Sequence, residues 1–201
     1  MQLAYGSGEI EVTVPSGVPV DVLEKHPVPP LVDPDAAIRR RLVTPTGARP
    51  LHELARGRRD AVIVVSDGTR PVPNAVLLPP ILDSLRDAGL PPEAVTVQVA
   101  TGLHRLNTPD EQHDARDAAS HQDLGQTAGG IPILIDRFFL AADLRILTGL
   151  IEPHLMAGYS GGRKAVCPGL AAVDTVRVAH GPAMLEGFIG PGLVAGNPLH
   201  E

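Results

Sequence analysis

Ala61-Val62-Ile63-Val64-Val65-Ser66-Asp67-Gly68-Thr69-Arg70-Pro71 decides the fold, because five apolar and mostly β-branched residues run straight into a polar turn. A continuous apolar run of that length suits a strand covered on both faces, as in parallel sheets flanked by helices. Pro71 and Pro73 stiffen the turn, and Asn74 is placed to cap a helix from Ala75 to Ala88. The plan recurs twice. Glu93 to Ala100, with Val95, Val97 and Val99, leads into Thr101-Gly102-Leu103-His104-Arg105, and the apolar run from Leu144 to Leu150 leads into a second polar stretch. The expected class is α/β, a Rossmann-like open, mostly parallel sheet with helices on both faces. In such sheets ligands bind beyond the carboxyl ends of the strands, which is where Asp67, Thr69, Arg70, His104 and His154 fall.

The remaining segments fit around that sheet. A short amino-terminal β-hairpin is expected from Gln2 to Tyr5 and Glu9 to Val14, turning at Gly6-Ser7-Gly8. Prolines 19, 27, 29 and 30 forbid a regular helix between Val18 and Val32, which reads as an extended linker carrying a solvated His26. Short helices are expected over Asp35 to Leu42, capped by Asp33 or Asp35, and over Pro50 to Arg56, with Arg56, Arg58 and Arg59 solvated at its end. Thr108 and Glu111 form a capping-box pattern, and His113 and His121 lie in a polar stretch that reads as exposed. A strand over Ile131 to Ile135, a helix over Asp136 to Ala142 and a helix over Ala172 to Ala179 follow, the last delivering His180. Glycines and prolines beyond residue 187 mark a boundary, so the domain is expected to occupy 1–186 and residues 187–201 to form a loop leading out of it.

Composition removes several functions. The chain has 201 residues, enough for one domain with an appendage. A formal charge of −6, no Trp, two Tyr and three Phe argue against a nucleic-acid partner, which would need a basic face and stacking platforms. A single cysteine forms no internal disulfide, and there is neither a signal peptide nor an apolar run of about eighteen residues. The expected location is the cytoplasm, with no membrane partner.

The densest chemistry lies in GLIEPHLMAGYSGGRKAVCPGL, residues 149–170. Glycines ahead of an expected helix start, together with Arg163 and Lys164, offer backbone N–H groups and two cations to an anion such as a phosphate. A Walker A loop is excluded, because Ala165 follows Lys164 where a magnesium-binding Ser or Thr is required. Gly158-Tyr159-Ser160-Gly161-Gly162 matches the nucleophile elbow, which makes a Ser160 hydrolase using His154 or His180 the rival reading. An elbow follows its strand directly, however, and Ile151 to Gly158, including Pro153, intervene. His104, His154 and His180 are spaced too widely for a zinc fingerprint, leaving a three-histidine zinc site open but unsupported.

DGTRP (67–71), ATGLHR (100–105), IEPH (151–154), GYSGGRK (158–164), PGL (168–170) and His180, in this order, resemble the amino-terminal domain of the nickel-dependent lactate racemase family. The resemblance covers essentially the whole chain. It implies a nickel-pincer nucleotide, nickel pyridinium-3,5-bisthiocarboxylic acid mononucleotide, as cofactor. By motif it implies His180 as nickel ligand and Lys164 as the lysine that some members join covalently to the cofactor. His104 and His154 then correspond to the two acid/base histidines, and Arg70 to the substrate-binding arginine, with Asp67 beside it. Thr69, Ser160, Gly161, Gly162 and Arg163 would serve the cofactor. The implied activity is racemisation or epimerisation of a small 2-hydroxy acid, lactate or similar, by proton-coupled hydride transfer through a 2-keto acid. The implied partners are cofactor-biosynthesis proteins and a carboxy-terminal domain or partner chain absent here. A non-catalytic or truncated cofactor-binding module of the same family is the alternative.

Overall fold

The computed structural model describes residues 1–22, 26–105, 113–186 and 189–200. Two compact units divide at Val32: Met1–Val32 and Asp33–Glu201. In the first, β1 (Gln2–Tyr5) and β2 (Gly8–Glu11) form the expected antiparallel hairpin, with Gly6 in the left-handed region at φ 58°. The second strand ends at Glu11 and does not reach Val14.

The second unit is built on a three-stranded parallel sheet. Its elements are α1 (Pro34–Val43), α2 (Leu51–Ala55), β3 (Ala61–Ser66), α3 (Asn74–Asp87), β4 (Val95–Ala100), β5 (His121–Gln126), β6 (Pro132–Asp136), α4 (Arg137–Ala141), β7 (Leu144–Leu147), β8 (Pro153–His154), β9 (Gly158–Tyr159), α5 (Val173–Ala179) and α6 (Pro182–Leu185). β3 lies centrally in the order β4-β3-β7, pairing Ile63 with Val97 on one side and with Ile146 on the other. Strand alternation divides the core. Ala61, Ile63 and Val65 pack with Leu51 and Ala55 of α2 and Ile81 and Leu85 of α3. Val62 and Val64 pack with Phe139 of α4, with Val176 of α5 and with Leu170, which precedes α5. Helices therefore cover both faces, as the uninterrupted apolar run requires.

Several local features depart from expectation. Asp33 caps α1 by accepting from the Ala36 amide, but α3 starts one residue early, at Asn74, and Asn74 supplies no cap. Pro79 and Pro80 sit inside α3, where they lack the amides that would bond Ala75 and Val76, and Pro80 is itself buried in the core. Packing overrides the propensity here. The 131–135 strand forms as β6, but it pairs antiparallel with β5 and stays outside the parallel sheet. The Thr108–Glu111 capping box lies outside the described residues. Arg59 is exposed as expected, and it also makes a bidentate ion pair with Asp143 at 2.7 and 2.8 Å.

His113 and His121 are corrections. Both are buried, and their rings meet edge-to-face with centroids 5.3 Å apart. His113 Nδ1 lies 3.1 Å from Asp136 Oδ2, while Asp136 Oδ1 accepts from the Phe138 and Phe139 amides and so caps α4. Among the described residues, no helix is long and apolar enough to cross a membrane.

Candidate functional site

A cavity of about 580 Å³ opens at the carboxyl ends of the three parallel strands. Eight of the expected residues line it: Asp67, Arg70, His104, His154, Ser160, Gly161, Lys164 and His180. Thr69 stands behind Asp67, whereas Gly162 and Arg163 are not among the lining residues, and the Arg163 guanidinium bonds the His200 carbonyl. The turn from Gly162 to Ala165 is a single 3-10 turn, not the α-helix start on which the anion reading was based.

After β3 the chain bends so that the Asp67 carboxylate is 2% exposed, while the side chain of His104, after β4, is 50% exposed. His104 Nδ1 lies 2.5 Å from Asp67 Oδ2, and Asp67 Oδ1 accepts from the Thr69 hydroxyl at 2.5 Å and its amide at 3.0 Å. Burial pushes the Asp67 carboxyl up, but the bonds from Thr69 and His104 outweigh it and leave the group below the usual carboxylate range. An ionised Asp67 makes Nδ1 the protonated nitrogen of His104. In the neutral ring, Nε2 then carries the free lone pair.

His154 is held in the opposite way. After β7, the small β8–β9 hairpin turns so that the Met156 and Ala157 amides each donate to His154 Nδ1 at 3.1 Å. Nδ1 must be unprotonated, which places the proton of the neutral ring on Nε2, 2.6 Å from Lys164 Nζ. Burial, then the neighbouring Lys164 and Arg70 side chains, push His154 down, and burial followed by the Arg70 cation pushes Lys164 down. Burial also pushes the Cys167 thiol up.

The hairpin is braced from the far end of the chain. The Met156 carbonyl, on the same peptide group as the Ala157 amide, accepts from the fully buried Asn197 side chain at 2.7 Å. Gly158, at φ 75°, sits so close to Leu193 that an added Cβ would lie 2.1 Å from the Leu193 carbonyl oxygen. Sequence reading missed Asn197, whose only signal was a Gly-Asn-Pro turn composition.

His180 ends α5, its Nδ1 bonding the Val176 carbonyl at 3.0 Å and leaving Nε2 to the cavity side. Among the described residues, no group of three or more His, Cys, Asp or Glu could hold a metal ion, so the three-histidine zinc site is not formed. The elbow reading also fails on contacts. Ser160 Oγ donates to the Leu150 carbonyl at 2.7 Å and accepts from the Glu152 amide at 3.0 Å, which makes it a loop fastener.

The profile of the lactate racemase N-terminal domain matches residues 5–113 and 111–187. The chain belongs to this family. It is 33% identical over 181 residues to lactate racemase of Thermoanaerobacterium thermosaccharolyticum and 35% identical over 180 residues to that of Lactiplantibacillus plantarum. Each match covers 82% of this chain and 42% of the relative. The solved lactate racemase apoprotein of T. thermosaccharolyticum superposes with a TM-score of 0.84 at 30% identity, over 99% of this chain and 50% of that one. The chain spans less than half the length of the curated relatives it matches.

Proposed function

We propose that this domain forms one wall of the active site of a racemase or epimerase of small 2-hydroxy acids. One observation carries the reading. The strand order β4-β3-β7 brings His104 and His154 from the two edge strands to either side of the Arg70 loop, which follows the central strand. A carboxylate held by the Arg70 fork would present its neighbouring carbon between two imidazoles. Their tautomers are complementary: His104 offers a lone pair at Nε2, while His154 offers a proton there. His104 can therefore take the hydroxyl proton of one enantiomer as His154 protonates the oxygen of the other. Asp67 acts through His104, fixing its ring, because Thr69 and His104 occupy its carboxylate oxygens.

The donor set fits a nickel-pincer nucleotide. His180 offers one imidazole nitrogen to a metal whose other ligands come from its own organic frame, and Lys164 offers an amine for covalent attachment. When bound, that group supplies a hydride acceptor, so the chain's residues need only move the hydroxyl proton and hold the carboxylate. Ser160 and Gly161 shape the loop at the cavity wall, and a carboxy-terminal domain would close the open side.

The test uses the complete polypeptide produced with cofactor-making proteins. Intact mass and metal analysis should give near-equimolar nickel that is lost in His180→Ala, and a mass increment that is lost in Lys164→Ala. One enantiomer of lactate should racemise, and Arg70→Gln should stop it. Racemisation that persists in both His104→Ala and His154→Ala would refute the two-imidazole assignment.

A further inference from the structure

Hydrogen-bond accounting around Lys164 leaves little freedom. His154 Nδ1 receives two amide protons, so Nε2–H is the donor towards Lys164 Nζ, and an ammonium has no lone pair with which to accept it. The lysine facing the cavity is therefore a free amine. The other charged or titratable groups acting on it are the Arg70 guanidinium and the Cys167 thiol, which burial keeps protonated.

Composition points the same way by an independent route. The chain contains only two lysines, Lys25 and Lys164, against fifteen arginines. Its surface ion pairs use arginine, as in Arg39 with Asp35 and Asp83 and Arg59 with Asp143. Arginine cannot lose its proton within protein pH ranges, whereas a lysine can. The one lysine lining the cavity stands where a removable proton has chemical use.

We propose that Lys164 is also a carbonyl-trapping amine, which condenses with a 2-oxo acid whose carboxylate lies on Arg70. The inference rests on the reading of Arg70 as a carboxylate anchor. The Lys164 nitrogen adds its lone pair to the ketone carbon, and the carbonyl oxygen takes a proton while the nitrogen gives one up, with His154 able to relay both. Loss of one water from the resulting carbinolamine leaves a C=N bond. One amine and one carbonyl are consumed and one water is released, with no change of oxidation state. A 2-oxo acid reaching the domain before its cofactor would block the amine that the cofactor needs.

The full chain incubated with pyruvate and borohydride, then digested and mapped by mass spectrometry, tests this. The expected result is a reduced pyruvyl adduct on Lys164 at neutral pH, at least tenfold over Lys25 and absent from Lys164→Arg. The labelling rate should fall as pH drops through a midpoint below the ordinary lysine value, and His154→Ala should move that midpoint upward. Propanal, which has no carboxylate, should label Lys164 at least tenfold less than pyruvate. Equal labelling of both lysines, or a midpoint unmoved in His154→Ala, would overturn the inference. Labelling by propanal but not pyruvate would overturn it through the Arg70 anchor. Labelling by neither would overturn it through the amine, leaving the reading of Arg70 to its own racemisation test.

Discussion

Two histidine–aspartate pairs of similar chemistry serve opposite ends in this domain. Asp67–His104 spans 2.5 Å with the carboxylate 2% exposed and the imidazole 50% exposed. His113–Asp136 spans 3.1 Å with the side chains 0% and 3% exposed. In each, a buried carboxylate held below its usual range fixes the ring. The difference lies in the far nitrogen. His104 turns its Nε2 towards a cavity, whereas His113 Nε2 is buried without a partner among the described residues and its ring abuts His121. Burying the acid alone leaves the imidazole a nitrogen open to the cavity, and burying both groups makes a structural tie.

The largest expected effect separates the two pairs by activity. In the complete, loaded enzyme, His104→Ala should lower the racemisation rate roughly 10²–10⁴-fold, the usual contribution of a positioned acid or base, while the denaturation midpoint stays nearly unchanged. His113→Ala should do the reverse. Leaving Asp136 buried without its partner should cost about 3–5 kcal/mol in chemical denaturation, with the rate per folded molecule preserved. A catalytic collapse in His113→Ala at full stability would erase the distinction.

The pH dependence sharpens it further. Both carboxyls are depressed on folding, so their contribution to stability is fully present above the unfolded value of about 3.9 and disappears as pH falls through the lower folded value. Asp136→Asn should therefore flatten the stability profile below roughly pH 4. Asp67→Asn should flatten it too, with catalysis lost at neutral pH as well. The smallest effect is expected from Ser160→Ala, about 1 kcal/mol for the lost loop bonds. No labelling by an active-serine probe should be seen in either the parent or the variant.

The sheet could be read from the sequence because β3 carries its own burial signature and each parallel strand ends in a polar turn. Asp67, Arg70, His104, His154 and Lys164 were found for that reason: topology alone sends strand ends to one rim. The misread parts have no such local signal. His121 is the only buried residue of β5, and the strand's single large apolar side chain, Leu124, is exposed, so neither apolar alternation nor an apolar run announces a strand. His113 is buried because Asp136 and His121 meet it from distant segments. The strands β8 and β9 have two residues each, too few to show a period. Arg163 was assigned to the cofactor by motif, and the bond from its guanidinium to the His200 carbonyl carries no signal in the sequence.

The peptide group between Met156 and Ala157 has its oxygen on Asn197 and its N–H on His154. It works as a crank. Any shift of the 193–199 segment that rotates this plane would draw one of the two amide protons away from Nδ1 as it releases Asn197, leaving the Met156 amide as the remaining hold on the tautomer. The protonation of one imidazole is geared in this way to the position of a stretch of backbone some forty residues downstream.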